Sequence, residues 1–262
     1  MENHPKPLKR FGQNYLVDQN IVRKIVKEFN PQPNDCVLEI GPGTGSLTTL
    51  LFDSVQKYFA VEIDNRVIYD LSSRFPKIDF INNDFMKVKL TDLPSKSQKL
   101  RIIGNIPYNL TSPIIFKLIE NRFIIHDAML MVQLEVAKRI TAKEKSKEYG
   151  ILSVLLNFFA ETKLCFQISP NVFHPKPKVF SAIIHLKFNK KIPAGLNTDL
   201  FVQVVKAAFG NRRKTLKNSL GNSKFNEIDF SADKFDFSRR AEELSIYEFV
   251  NLSQIIENYL EN

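Results

Sequence analysis

The stretch Asp35-Cys-Val-Leu-Glu-Ile-Gly-Pro-Gly-Thr-Gly-Ser46 decides the fold. Its apolar run from Cys36 to Ile40 predicts a buried strand, and glycines follow at alternate positions, Gly41, Gly43 and Gly45. Glycine lets the backbone turn sharply and lets a ligand approach without an intervening Cβ. Because helical spacing resumes after the turn, the stretch predicts a nucleoside-binding turn. In a dinucleotide site, G-x-G-x-x-G, the third glycine comes one residue later, so this spacing suits an adenosyl group that carries no pyrophosphate.

The composition is that of a globular protein with excess positive charge. Its 262 residues contain 37 Lys and Arg against 28 Asp and Glu, which gives a net charge of +9. No apolar run approaches the roughly 18–20 residues of a membrane span, and no signal-peptide core follows Met1, so we expect a cytoplasmic protein with no membrane partner. Cys36 and Cys165 stand alone and the histidines lack metal-ligand spacing, which predicts no disulfide and no bound metal.

Apolar runs that predict strands alternate along the chain with segments of helical spacing. Strands are predicted at 36–40, 58–62, 78–81, 100–104, 128–133, 163–168 and 182–188, whereas residues 5–18 predict neither helix nor strand. The alternation predicts a parallel sheet of right-handed βαβ units. Beyond a polar linker, only helical patterns remain. We therefore predict an α/β domain over 1–190, with a basic arm over 1–17, and a small all-helical domain over 191–262.

Four unusual sequences follow predicted strands: the glycine turn, Glu62, Asp84 and Asn105-Ile-Pro-Tyr108. Ligands of parallel sheets bind at the carboxyl ends of strands, so we expect these sequences to converge on one crevice. Glu62 is placed to accept the ribose hydroxyls of an adenosine. Asp84 could accept the adenine amino group, although a loop Asp serves equally well as a helix cap.

The tetrapeptide Asn105-Ile-Pro-Tyr108 indicates methylation of an adenine amine. The lone pair of that nitrogen is delocalised into the ring, and two acceptors holding its hydrogens would localise the lone pair toward a methyl donor. The side-chain oxygen of Asn105 and the carbonyl of Pro107 can supply these acceptors. Tyr108 offers a face on which a flipped base can stack, worth about 1–3 kcal/mol. The alternative is a proline turn with Tyr108 in the core.

Basic clusters indicate a nucleic-acid partner. Phe173-His-Pro-Lys-Pro-Lys-Val179 could close the other face of the base through Phe173 and contact phosphate through Lys176 and Lys178, although a plain surface loop fits nearly as well. Cations also gather at a predicted helix start and in the N-terminal arm, where backbone amides and side chains can meet phosphate. The predicted RNA-binding residues are Lys9, Arg10, Lys176, Lys178, Arg212, Arg213, Lys214 and Lys217.

Five motifs occur together in one order: Phe11-Gly-Gln-Asn-Tyr-Leu16, Glu39-Ile-Gly-Pro-Gly-Thr-Gly45, Asn105-Ile-Pro-Tyr108, Pro175 to Ser181 and Arg212-Arg-Lys-Thr-Leu216. With them the chain resembles the ribosomal RNA adenine dimethyltransferases, bacterial small-subunit branch. The resemblance implies a Rossmann-like class I methyltransferase sheet flanked by helices. It also implies S-adenosylmethionine as cofactor and dimethylation at N6 of two adjacent adenosines in the 3′-terminal hairpin of 16S rRNA. The partner would be this rRNA or an immature small ribosomal subunit, and the enzyme a monomer.

The resemblance also implies the site residues. The cofactor-binding set is Asn14, Leu16, Gly41, Gly43, Gly45, Glu62, Ile63, Asp84, Phe85 and Asn105. The target-base set is Asn105, Pro107, Tyr108 and Phe173. Two positions depart from the family pattern, because Tyr15 stands where Phe is usual and Lys176 interrupts a proline run.

Three other functions remain open at this stage. The nearest is the related group that methylates 23S rRNA and confers macrolide resistance. A non-catalytic RNA-binding assembly factor would need neither the glycine turn nor Asn105-Ile-Pro-Tyr108. A nicotinamide oxidoreductase has the glycine spacing against it and lacks a proton donor paired with a substrate-holding Arg.

Overall fold

The computed structural model describes residues 5–93, 98–211, 213–230 and 233–261, and only the backbone of Lys9. The chain divides into two compact units. The first runs up to Ala137 and resumes over Glu161–Asn189, and the second contains Lys138–Ala160 and the chain from Lys190 onward. These units differ from the domains predicted over 1–190 and 191–262 in assigning residues 138–160 to the second unit. Two functional domains with the predicted limits stay a prediction.

The first unit is built on a seven-stranded sheet. Its strands are β2 (Cys36–Ile40), β3 (Lys57–Glu62), β4 (Asp79–Asn82), β5 (Leu100–Asn105), β6 (Ile125–Gln133), β7 (Glu161–Ile168) and β9 (Ser181–Lys187). Their order across the sheet is β4-β3-β2-β5-β6-β9-β7. All seven predicted strands are present, and their limits differ from the prediction by at most three residues. The predicted Rossmann-like sheet is thereby confirmed.

The prediction of an all-parallel sheet was wrong for β9. Strands β2 to β6 pair in parallel, but β9 is antiparallel to both β6 and β7. A parallel crossover requires about a dozen residues or more, usually with a helix. The connection from Ile168 to Ser181 contains only a short 3-10 turn, Pro170–Val172, and the two-residue strand β8 (Phe173–His174). It therefore returns the chain beside β7 in the opposite direction.

Residues 5–18, for which no regular structure was predicted, contain a 3-10 turn at Lys9–Phe11 and a short strand, β1 (Tyr15–Leu16). This strand pairs antiparallel with β8, as Tyr15 faces His174 and Leu16 faces Phe173. Two residues are too few to show a periodicity in the sequence. The pairing therefore arises from contacts between distant parts of the chain.

The described residues form nine helices. They are α1 (Gln19–Phe29), α2 (Thr48–Leu51), α3 (Asn65–Arg74), α4 (Thr111–Glu120), α5 (Leu134–Ile140), α6 (Ile151–Phe159), α7 (Thr198–Ala208), α8 (Leu216–Gly221) and α9 (Ile246–Glu261). Asp18 caps α1 by accepting from two backbone amides, and Asp64 caps α3 by accepting from one. None of the described helices is long and apolar enough to cross a membrane.

A polar network lies at the amino ends of the parallel strands, opposite their carboxyl ends. Asp127 accepts from Arg101 Nε and Nη2 at 2.8 Å and lies 2.8 Å from His185 Nε2. Arg101 also reaches Asp35 at 2.6 Å. Burial alone would raise the pKa of Asp127, but its bonds to Arg101 and His185 lower that pKa to about 2. The network therefore stabilises the sheet with an ionised carboxylate.

In the second unit the described residues from 199 onward form helices and turns, without a strand. Phe201 and Phe249 are fully buried. Phe158 packs on Phe201 with a ring-centroid distance of 4.3 Å. The predicted helical C-terminal region is confirmed.

Candidate active site

The site lies at the carboxyl edge of the parallel strands. From β2 the chain continues to β3 on one side, while β5 lies beside β2 on the other side of the sheet. Such a switch in strand order opens a crevice between the loops that follow the two strands. A cavity of about 340 Å³ opens here. This volume falls in the range of roughly 300–1,000 Å³ of small-molecule sites. All four unusual strand-end sequences line it, and the segment Arg10–Leu16 supplies a further wall.

The glycines of the turn are required for backbone shape and for close packing. Gly41, Gly43 and Gly45 have φ values of 67°, 55° and 81°, which other residues rarely adopt. A Cβ on Gly43 would lie 3.0 Å from the Tyr15 ring, and one on Gly45 would lie 2.8 Å from Leu71. Gly41 and Gly43 line the cavity, whereas Gly45 does not. The structure therefore gives Gly45 a packing role between the turn and α3.

Glu62 presents a buried carboxylate at the end of β3, with 6% of its surface exposed. Its Oε1 accepts from the backbone amides of Ile63 and Asp64, both at 2.9 Å. Burial raises the pKa of Glu62, while these amides and that of Gly43 oppose the increase. The backbone thus orients a carboxylate whose desolvation makes two hydroxyl donors favourable partners.

Asp84 and its neighbours form the next part of the wall. Asp84 caps the 3-10 turn Phe85–Lys87, because its Oδ1 accepts from Met86 N at 2.9 Å. Its Oδ2 accepts from no described residue and can still meet a ligand donor, so the residue serves the structure and is also available to a ligand. Ile63, 46% exposed, and Phe85, buried, add apolar surface to the same cavity.

Asn105 and Asn14 are joined by a direct hydrogen bond. Asn105 Nδ2 donates to the carbonyl of Asn14 at 2.8 Å, and Asn14 Nδ2 donates to the carbonyl of Gly12 at 3.2 Å. Since a carbonyl can only accept, the first bond fixes which end of the Asn105 amide is nitrogen. The amide oxygen is then the end that remains to accept from a ligand. The same bond anchors the segment that contains Leu16, a buried residue of the cavity wall.

Pro107 and Tyr108 follow directly and are also fixed. The carbonyl of Pro107 accepts from Leu110 N at 2.9 Å within a short turn, and its second lone pair remains for another donor. The Tyr108 hydroxyl lies 2.6 Å from Ser181 Oγ, and Ser181 is fully buried on β9. The half-buried ring of Tyr108 is therefore held at its tip while one part of it lines the cavity.

Phe173 lies elsewhere than the sequence predicts for a residue that stacks on the target base. It is 4% exposed, pairs with Leu16 and packs in the main core cluster. It is absent from the cavity wall. The apolar surface of an aromatic ring can serve a core or a base equally well, and here β1–β8 pairing places it in the core. The structure brings Tyr108 to the cavity but not Phe173.

Glu39 and Gln13 are among the wall residues that the sequence reasoning missed. Glu39 is 1% exposed and accepts from Thr48 Oγ1 and Tyr58 Oη, both at 2.6 Å. Burial raises the pKa of Glu39 to about 7, against the effect of these two bonds. A lone charge within the apolar strand 36–40 was the available signal. Gln13 lines the cavity and donates to Asp64 at 3.4 Å, and its only signal was its place in a motif.

The predicted RNA-binding residues are distributed over both units. Arg10, Lys176 and Lys178 are exposed in the first unit. Arg213 and Lys214 are exposed before Thr215, which caps α8, and Lys217 is exposed on its first turn. Arg212 and the Lys9 side chain lie outside the described residues. Exposure of this kind is compatible with contact to phosphates.

The described residues offer no candidate metal site. They contain no group of three or more His, Cys, Asp and Glu side chains that could hold an ion.

Comparison with known proteins gives a consistent result along the whole chain. Residues 6–258 match the family model described as ribosomal RNA adenine dimethylase. The ribosomal RNA small subunit methyltransferase A of Chlorobium phaeobacteroides (strain DSM 266) is 44% identical over 248 residues, which cover 95% of this chain and 90% of that protein. The protein of the same name from Francisella tularensis subsp. novicida is 42% identical over 261 residues, covering 98% and 100%.

Solved structures show the same architecture. A dimethyladenosine transferase from Plasmodium falciparum has a TM-score of 0.73 at 25% identity, with 92% of this chain and 96% of that chain covered. The 23S rRNA methyltransferase ErmE has a TM-score of 0.67 at 24% identity and is similar in fold, with 93% and 99% covered. Together with the glycine turn and the fixed Asn105 amide, these matches identify the chain as a member of the ribosomal RNA adenine dimethylase family.

Proposed function

We propose that this enzyme transfers methyl groups from S-adenosylmethionine to N6 of two adjacent adenosines in the 3′-terminal hairpin of 16S rRNA, giving N6,N6-dimethyladenosines. As a member of its family the chain is an rRNA adenine methyltransferase. The observation that supports the chemistry best is the Asn105 amide, whose nitrogen is committed to Asn14 and whose oxygen is thereby the acceptor. The specific rRNA and cofactor are the finer parts of the proposal.

The cavity fits an adenosyl cofactor. Glu62 supplies a desolvated carboxylate for the ribose hydroxyls, and Asp84 Oδ2 an acceptor for the adenine amine. Ile63 and Phe85 supply apolar surface for the base. S-adenosylmethionine, when bound, provides a methyl group on a positively charged sulfur. The carboxylate of Glu62, when ionised, favours a cation in this cavity.

The residues at the end of β5 act on the target amine. The oxygen of Asn105 and the carbonyl of Pro107 accept its two hydrogens and so localise the nitrogen lone pair. Tyr108 supports the flipped base from one face, and its bond to Ser181 keeps the ring from turning. A proton is lost only after the nitrogen has been alkylated, so the amine needs no general base matched to its pKa.

The rRNA backbone would be bound by exposed cations of both units, Arg10, Lys176, Lys178, Arg213, Lys214 and Lys217. Arg212 and Lys9 remain candidates from the sequence. The relatives that are 42–44% identical in sequence are named for the small subunit, which favours 16S over 23S rRNA. A monomeric enzyme in the cytoplasm stays a prediction.

The test is methyl transfer from labelled S-adenosylmethionine to small subunits, large subunits and free rRNA, each prepared unmethylated. We expect label on two adjacent adenosines near the 3′ end of 16S rRNA. Mapping the label by primer extension and mass spectrometry separates the outcomes. Label confined to 23S rRNA would favour the alternative specificity, and RNA binding without any label would favour a non-catalytic assembly factor.

A further inference from the structure

A buried lysine lies directly behind the cavity wall. Lys117, in the second turn of α4, is 9% exposed. Its Nζ donates to the carbonyls of Phe85 and Met86 at 2.8 Å and of Val88 at 2.5 Å. The ammonium has three hydrogens, and each has a carbonyl partner. Lys117 therefore satisfies a whole turn of backbone acceptors with one side chain.

The turn that Lys117 holds belongs to the candidate adenine site. Asp84 caps it and Phe85 begins it, and both line the cavity. The ammonium also lies 5.1 Å from the centre of the Phe85 ring, within the range of a cation–π contact. Without the ammonium, the carbonyl of Phe85 would keep only Val88 N at 3.2 Å, and the carbonyls of Met86 and Val88 would have no described donor, so the turn would have to rearrange to reach water. Asp84 and Phe85 would move with it.

Lys117 is not retained as half of an ion pair. It forms no salt bridge with a described residue, since its direct partners are carbonyl oxygens. Burial lowers the pKa of Lys117, and the carboxylates of Asp84 and Glu120 partly restore it. Burying a charge that lacks a bonded counter-ion is unfavourable, and an apolar side chain would avoid that cost. The three carbonyl contacts explain why a charged side chain is buried here, because the ammonium of Lys117 organises the turn that begins at Phe85.

The location of α4 adds a second connection. The helix starts at Thr111, three residues after Tyr108, so the segment that would hold the target amine leads directly into it. Lys117 lies two turns further along the same helix. One side chain thus ties the turn of Asp84 and Phe85 to the helix that continues from Asn105-Ile-Pro-Tyr108.

We infer that Lys117 is a positioning residue that holds the adenine-binding turn of the cofactor site by anchoring it to α4. The inference rests on the proposed function for the identity of the ligand. It concerns geometry rather than chemistry, because Lys117 is behind the wall. Loss of the ammonium should therefore weaken binding of the adenosine part of the cofactor while leaving the methyl-transfer step itself largely intact.

The experiment compares Lys117→Met with Lys117→Arg in the full-length protein, with Lys87→Met as a matched control from the same turn whose side chain is exposed. Hydrogen–deuterium exchange is measured on the protein without ligand. Calorimetry measures the Kd of S-adenosylmethionine and of 5′-methylthioadenosine, which lacks the amino-acid part. Steady-state kinetics separate KM for the cofactor from kcat.

In Lys117→Met we expect faster exchange confined to residues 85–90 and an increase of about tenfold in both Kd values, since three charge-assisted bonds are lost. The KM for cofactor should rise similarly, with kcat within about twofold. Lys117→Arg keeps the charge but not the three convergent donors, so it should show smaller changes in the same direction. Lys87→Met should match the wild type.

Unchanged exchange and Kd in a folded Lys117→Met variant would overturn the inference. Should that variant not fold, unchanged values in Lys117→Arg would overturn it equally. A wild-type protein that binds neither ligand would instead refute the proposed function, and the exchange data would still report whether Lys117 holds the turn.

Discussion

Replacing Asn105 with alanine should separate catalysis from binding. The change removes the amide oxygen that accepts from the target amine and the Nδ2 donor that reaches Asn14 at 2.8 Å. A hydrogen bond to a group that becomes charged is worth about 1.5–3 kcal/mol, and the target nitrogen gains positive charge as it is alkylated. Since about 1.4 kcal/mol is a factor of ten, kcat should fall roughly 10- to 150-fold from the lost acceptor alone.

The lost donor has a smaller and separate effect. A neutral amide-to-carbonyl bond contributes about 1 kcal/mol, so the melting temperature should fall by roughly 2–4 °C. The control is Asn222→Ala, which removes an amide-to-carbonyl bond of the same 2.8 Å length in the second unit. It should lose similar stability and keep kcat.

The assay is single-turnover methyl transfer with saturating cofactor and rRNA, alongside filter binding of the rRNA. Asn105→Ala should bind rRNA with an affinity within about threefold of wild type, because phosphate contacts dominate that affinity. Equal loss of rRNA binding and methyl transfer would refute the assigned role. So would an unchanged single-turnover rate.

Further predictions concern the cofactor, stability and RNA. Because burial raises the pKa of Glu62, its carboxylate should become protonated at a higher pH than an ordinary glutamate, and cofactor binding should weaken over that pH range. The Glu62→Gln variant should bind the cofactor at least tenfold more weakly and with little pH dependence, as measured by calorimetry. Asp127 has a pKa of about 2 in the folded protein, against an ordinary value of 3.8. Its ionised form should therefore add roughly 2 kcal/mol to the free energy of unfolding above about pH 4, and this contribution should be lost toward pH 2. Urea denaturation should show the loss in the wild type and not in Asp127→Asn. The Tyr15 hydroxyl is buried without a described hydrogen-bond partner, so Tyr15→Phe should stabilise the protein by about 1 kcal/mol in thermal melts. Arg213→Glu should lower rRNA affinity and flatten its salt dependence, with the Kd for cofactor unchanged.

Each of these has a clear contrary result. A Glu62→Gln variant with wild-type Kd would remove Glu62 from the cofactor site. Identical acid denaturation of wild type and Asp127→Asn would show that the network does not depend on the ionised carboxylate. A less stable Tyr15→Phe variant would mean that the hydroxyl has a partner after all. An unaltered salt slope in Arg213→Glu would place that side chain away from the RNA.

Local chemistry made much of the fold predictable from the chain. Apolar runs are short-range signals, and the inner strands β2, β3, β5, β6 and β9 bury most of their side chains on both faces, whereas the edge strands β4 and β7 are only partly buried. Asp18 and Asp64 cap helices through backbone amides two or three residues away, so these caps depend only on local sequence. The direction of β9 was not predictable in this way, because it depends on the length and path of the connection before it.

The candidate site likewise has parts that local sequence predicts and parts that only tertiary contacts decide. Convergence of the glycine turn, Glu62, Asp84 and Asn105 followed from the rule that ligands lie at the carboxyl ends of parallel strands, and the cavity includes all four. Phe173 was placed by resemblance, and the structure buries it through pairing of β1 with β8. Lys117 gave no signal, because a lysine on a helix reads as a solvated charge until its carbonyl partners are known.

The glycine turn therefore shows what the sequence by itself determined: a strand, a sharp turn with positive φ and a site for a nucleoside, all set by residues within a dozen positions. Tertiary structure alone decided which end of the Asn105 amide faces the ligand and which wall Lys117 holds. It also decided that Gly45 serves packing against Leu71 rather than the cavity. The physical reason is that hydrogen bonds and close contacts between distant segments depend on three-dimensional distance, which local residue patterns do not encode.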